Sequence, residues 1–114
     1  MTIDVTRQHD VSILKPGGRL ISSDDVRSLK KSMYNEIAKN DPPKLLIDFD
    51  GVKMMSSIGL GAIMEAGLTV KQKGGRIAVI HISSHIKSLL VMSHLMSHFE
   101  HFNSEHEGVV ALAS

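Results

Sequence analysis

The sequence predicts a small α/β domain in which a mixed sheet of four to five strands packs against about four helices. Two runs carry apolar residues at helical spacing, short apolar runs between them suit buried strands, and turn or capping residues mark the joins. At 114 residues the chain is long enough to bury a core of its own, so residues 1–114 are read as one domain.

Ile3 to Thr6 and Val11 to Leu14 alternate apolar with polar side chains and read as one or two short strands. Lys15-Pro16-Gly17-Gly18 reads as a turn, and Arg19-Leu20-Ile21 adds a few strand residues. Ser22-Ser23-Asp24-Asp25 then supplies capping oxygens and negative charge for a helix start. Val26, Leu29, Met33 and Ile37 form its apolar stripe, and Pro42-Pro43 forces its end.

Lys44 to Phe49 suits a central strand covered on both faces. A second helix is expected from about Ser57 to Lys73, with Leu60, Ile63, Met64 and Gly67 inward and Gly74-Gly75 as its stop. Gly59, Gly61 and Gly67 weaken such a helix by roughly 1 kcal/mol each, which close approach to the sheet would offset. Arg76 to Ile82 reads as another buried strand. Ser83-Ser84 caps a third helix that turns Ile86, Leu89 and Leu90 inward. Phe99 and Phe102 fall in or beside a last short strand, and Ser104 with Glu107 has capping-box spacing for a terminal helix.

Composition removes several function classes. Thirteen basic and twelve acidic residues are interspersed, leaving a formal charge of +1, so no polyanion-binding surface is announced. Four per cent aromatics and no Trp leave little for stacking on bases; nucleic acid is not an expected partner. The lack of Cys removes thiolate chemistry and disulfides and fits a reducing compartment. The start has no apolar core of a secretory signal, and no apolar stretch approaches the roughly 20 residues that span a bilayer. A cytoplasmic protein without membrane insertion is expected.

Chemistry concentrates in Val52 to Ile63, where Ser56 and Ser57 stand at the mouth of the second helix. Free backbone N–H groups and the positive end of the helix dipole gather at such a junction. On local chemistry alone one serine there reads first as a plain cap, and a hydroxyl there is also well placed to accept a phosphoryl group. His94, His98 and His101 are spaced for one helix face and raise the question of zinc. Phe99 and Phe102 suggest that a helix has ended by then, and no Cys completes a set, so no metal site is expected. Asp48 and Asp50 close the central strand without the acidic pair and lysine of a phosphate-accepting receiver pocket. The methionines read as gap-filling core, with Met54 and Met55 also suited to an adaptable surface. A nucleophile elbow, a phosphate-cradling loop and a dinucleotide fingerprint are all missing, so catalysis by this chain and a cofactor of its own are not expected.

Asp48-Phe49-Asp50-Gly51-Val52, Met55-Ser56-Ser57-Ile58-Gly59-Leu60-Gly61 and Lys73-Gly74-Gly75-Arg76-Ile77, in this order and spacing, resemble the STAS domain of bacterial anti-sigma factor antagonists. The likeness continues through Ile82 to Leu90 and Met92-Ser93-His94-Leu95, covering about Val11 to Leu112. In that family a loop of the form Asp-Ser-Ser/Thr-Gly-Leu-Gly precedes the second helix, and the serine after the Asp is phosphorylated by the partner. The resemblance places Ser57 at that position, with Ser56 in place of the Asp as second candidate and Ile58 in place of the other hydroxyl residue. It implies an anti-sigma factor that is also a serine-protein kinase of the histidine-kinase-like ATPase class, supplying ATP, magnesium and catalysis, and a serine phosphatase that resets the site. Lys53, Met54, Met55, Ser56, Ser57, Ile58 and Gly59 would frame the contact with that partner. Two other roles fit the same resemblance: a non-phosphorylated subunit docking on the ATPase of a membrane transport complex, and a scaffold in a larger signalling assembly.

Overall fold

In the computed structural model, residues 2–94 and 96–113 are described; Leu95, which closes the last segment of the resemblance, lies outside them. Strand β1 (Thr2–Gln8) pairs antiparallel with β2 (Val11–Leu20) across a tight turn at His9-Asp10. β2 runs parallel to β3 (Lys44–Asp48), β3 to β5 (Arg76–Ile80), and β5 to β6 (Glu100–Phe102), giving the order β1-β2-β3-β5-β6. β4 (Val52–Met55) pairs parallel with the far end of β2. Parallel neighbours need crossovers, supplied by α1 (Ser23–Lys39), α2 (Ser57–Gln72) and α3 (Ser84–Met92); α4 (Glu105–Ala113) closes the described chain. The described residues thus hold six strands, because Val52–Met55, to which the sequence reading assigned no strand, also joins the sheet.

Lys15-Pro16-Gly17-Gly18 is not the turn that its composition suggests. β2 runs straight through it, still paired to β1 as far as Gly17. Pro16 is tolerated because β2 contacts β3 only over Ser12–Leu14, so the missing N–H falls beyond that ladder. Gly18 sits at φ 97, and the register shifts between Gly18 and Arg19. This bulge bends the strand, so that Gly18–Leu20 meet β4 instead of β3. The Pro-Gly-Gly run marks a change of partner, not a reversal of the chain.

Helix α1 follows its pattern. The Ser22 hydroxyl accepts from the Asp25 N–H at 3.2 Å, and Val26, Leu29, Met33 and Ile37 are buried. Helix α2 keeps nearly the expected bounds and part of the expected inward face: Ile63 and Gly67 are buried, joined by Gly59, Ala62, Ala66 and Val70, while Leu60 is half-buried and Met64 exposed. Gly59, Ala62, Ala66 and Gly67 keep the inner face flat enough for close packing, with Ile63 and Val70 the larger side chains buried there. Ser83 caps α3, whose Ile86 and Leu90 are buried with Leu89 half-buried. At α4 the Ser104 hydroxyl accepts from the Glu107 N–H at 3.1 Å, and the Glu107 carboxylate accepts from the Asn103 N–H at 3.2 Å.

The sheet is covered on both faces. Leu14, Leu45, Ile47, Ile77 and Val79 pack under α1, α2 and α3, while Val11, Ile13, Leu46, Ala78 and Ile80 meet Val109 and Leu112 of α4. This explains why β3 and β5 read as nearly unbroken apolar runs. The second face is tied by charge as well. Arg76 of β5 donates to both carboxylate oxygens of Glu100 on β6, at 2.8 and 2.5 Å, and to the Ala111 carbonyl of α4 at 2.7 Å. The Arg76 bond holds the Glu100 carboxyl below the usual carboxylate range against the opposing effect of burial. No helix among the described residues is long and apolar enough to cross a membrane.

Two outcomes test this packing. Leu46→Ala empties a fully buried site under α4 and should cost about 2–5 kcal/mol in urea unfolding. A depressed carboxylate adds stability above its ordinary pKa that is lost as pH falls through its lowered one. Thermal stability should therefore drop as pH falls from the ordinary carboxylate range downward, and less steeply in Arg76→Gln than in the unaltered chain.

Candidate functional site

β4 ends against β2, and the chain turns there into α2. Ser56 is the N-cap residue, extended at φ −91 and ψ 174, and its carbonyl accepts the first helical bond from the Leu60 N–H at 3.0 Å. Its side chain makes no cap. The Ser56 hydroxyl instead donates to the carbonyls of Leu20 at 3.2 Å and Ile21 at 3.4 Å, while its N–H donates to Leu20 at 2.9 Å. These carbonyls lie where β2 stops and α1 has yet to begin, so the serine satisfies backbone groups that neither element uses.

Ser57 is the first residue of α2 and is exposed, and its hydroxyl has no hydrogen-bond partner among the described residues. The two serines are thus chemically unlike. A phosphoryl group on Ser56 would remove a donor and set anionic oxygens against two carbonyl oxygens. On Ser57 it would stand in solvent beside the free N–H groups of the helix start, where a negative charge is favoured by roughly 0.3–1 kcal/mol.

The neighbours divide the same way. Lys53 is exposed, and Met54 is 40% and Ile58 55% exposed. Met55 is only 4% exposed and Gly59 is buried, so these two support the surface from beneath. A Cβ on Gly59 would meet the Met55 Cγ at 3.0 Å and the Leu20 carbonyl oxygen at 3.1 Å, so any larger residue would push α2 off β2. Arg19 and Ile21 complete the surface: an Arg19 guanidinium nitrogen lies 3.2 Å from the Met54 sulfur, and Ile21 is 41% exposed. Sequence reasoning missed both, because they arrive from 35 positions away through the bend in β2. The only hint was Gly18, read there as a turn residue.

The other candidates fall away from this junction. Asp48 is buried; its carboxylate accepts from the Asp50 N–H and lies 2.9 Å from the His81 ring nitrogen, so it organises the end of β3. His94 follows α3 at positive φ, His98 lies in a 3-10 turn and His101 in β6, so the three do not share a helix face. Among the described residues no group of three potential ligands could hold a metal ion.

A family model described as the STAS domain matches residues 2–108. Among solved structures, the chain is similar to a putative anti-sigma factor antagonist of Thermotoga maritima, with 19% identity over 98% of this chain and 95% of that one and a TM-score of 0.87. It is similar to the Bacillus cell fate determinant SpoIIAA in its phosphorylated form, at 14% identity over 96% and 98% of the two chains and a TM-score of 0.75. It also resembles part of a murine solute carrier 26 anion transporter, at 16% identity over 94% of this chain and 18% of that one, with a TM-score of 0.70.

The contrast between the serines is measurable without any partner. Ser56→Ala should lower unfolding stability by about 1 kcal/mol through loss of its carbonyl bonds. Ser57→Ala should stay within about 0.5 kcal/mol of the unaltered chain.

Proposed function

The chain belongs to the STAS domain family, and on that footing we propose that it is an anti-sigma factor antagonist switched by phosphorylation of Ser57. Unmodified, it binds an anti-sigma factor that is also a serine kinase of the histidine-kinase-like ATPase class, and so frees the sigma factor. Phosphorylated, it releases that partner, and a serine phosphatase restores it. The protein works in the cytoplasm, and the kinase supplies ATP and magnesium.

The observation that carries this reading is the exposed, unpartnered Ser57 hydroxyl on the first residue of α2, held on a scaffold that does not use it. Phosphorylation adds about −1.5 to −2 charges and three acceptor oxygens. Because Ser57 has no structural bond to lose, the fold should tolerate them. Around it stand exposed Ile21, Met54 and Ile58. A partner covering these apolar groups would have to desolvate the new dianion, and that cost opposes binding. Recognition thus changes while the domain stays folded.

A second reading is favoured by one observation, the recurrence of this fold within a membrane transporter. A STAS subunit docking on a transporter's ATPase would keep the same surface and leave Ser57 unmodified.

Incubation with the cognate kinase and ATP, followed by intact-mass and fragment spectrometry, separates the two. One phosphoryl group on Ser57, lost in Ser57→Ala and retained in Ser56→Ala, is the expected result. Ser57→Asp should bind the kinase at least about tenfold more weakly while keeping its melting temperature. Absence of modification, or equal binding by the phosphorylated chain, would overturn the switch.

A further inference from the structure

A groove of about 450 Å³ is lined by residues of α1 between Ser23 and Tyr34 and by Ile58 of α2, the neighbour of Ser57. Val26, Tyr34 and Ile58 give it apolar walls, and Arg27, Lys30 and Lys31 contribute three cations. None of its lining residues is acidic.

We infer that this groove docks an acidic segment of the protein that reads Ser57, seating one bulky apolar side chain between flanking carboxylates. This rests on the switch reading for the partner's identity but not for the groove's chemistry. The cations are only partly compensated within the chain. Arg27 meets Asp24 at 3.5 Å, but both side chains are largely exposed, at 78% and 91%, so solvent screens the pair. Lys30 meets Glu65 at 3.3 Å on the α2 side, where Glu65 also accepts from the Tyr34 hydroxyl. Lys31 has no acidic group within ion-pair distance among the described residues. Positive charge over an apolar floor selects an acidic segment carrying an apolar anchor, because a basic segment would bury like charges together.

A second copy of the chain fits poorly. A two-fold contact through this groove brings each copy's patch onto its equivalent, setting Arg27, Lys30 and Lys31 against their own counterparts. The position of Ile58 gives the groove its role. An occupant resting on Ile58 reaches the helix start where Ser57 stands, so docking here and reading Ser57 are one binding event. A phosphate on Ser57 adds its negative charge beside the same groove and competes with the occupant's carboxylates for these cations.

Titration of the isotope-labelled chain with a synthetic glutamate-rich helical peptide bearing one leucine tests this directly, with a glutamine-for-glutamate peptide and inorganic phosphate as controls. Amide shifts should cluster on residues 26–34 and at Ile58. The apparent affinity should fall about tenfold in Arg27→Glu with Lys31→Glu, and should weaken as salt rises from about 0.05 to about 0.5 M. Both substitutions are on the surface, and circular dichroism checks that the fold is kept. Shifts elsewhere, no shifts, equal binding of the glutamine peptide, the same shifts from phosphate alone, or indifference to the double charge reversal would each overturn the inference.

The kinase adds a second, separable arm. If the double variant is phosphorylated on Ser57 and binds the kinase as well as the unaltered chain does, the groove inference fails and the switch stands. If the peptide occupies the groove as expected but Ser57 is never modified, the switch fails and the groove stands.

Discussion

The Leu20 carbonyl is where the sheet and the candidate site are joined. It receives both the N–H and the hydroxyl of Ser56 and lies 3.1 Å from where a Cβ on Gly59 would be. Three neighbouring residues at the start of α2 are therefore committed in different ways: Ser56 to bonding, Gly59 to close packing, and Ser57, between them, to neither. A free hydroxyl on an otherwise fixed turn is what a reversible covalent mark needs. A phosphoryl group on Ser57 would break no hydrogen bond of its side chain among the described residues.

The bend in β2 makes that junction possible. Residues Ser12–Leu14 belong to the ladder with β3, and Gly18–Leu20 belong to the ladder with β4. One strand thus carries both the central sheet and the carbonyls that receive Ser56. The same bend leaves Ile21 and the start of α1 beside the start of α2. Ile58, beside Ser57, lines the same groove as Arg27, Lys30 and Lys31 of α1.

Much of this was legible in the residues. The stripe and cap of α1, the buried runs of β3 and β5, and the Ser104–Glu107 cap all depend on contacts within one element or its near neighbours, which sequence spacing records. What depends on long-range partners was not legible. Pro16-Gly17-Gly18 has turn chemistry, yet the strand partners on either side hold it extended. Helix α2 buried Gly59, Ala62 and Ala66 beside Ile63 and Val70 instead of Leu60 and Met64, because close packing, set by long-range partners, favours small residues there. At the site, the resemblance located Ser56 and Ser57, but only the bonds to Leu20 and Ile21 distinguish them. Arg19 and Ile21 left no local trace because they reach the site only through the fold.

The account stands on the scaffold's indifference to a phosphate at Ser57. Amide hydrogen exchange compared between the unmodified chain and the chain phosphorylated on Ser57 is the most direct measure of it. The account predicts unchanged protection in β2, β3, β5 and the body of α1, with differences confined to the start of α2 and the residues around it. Loss of protection across the central strands would contradict it, since the mark would then act by unfolding the domain and not by changing its surface.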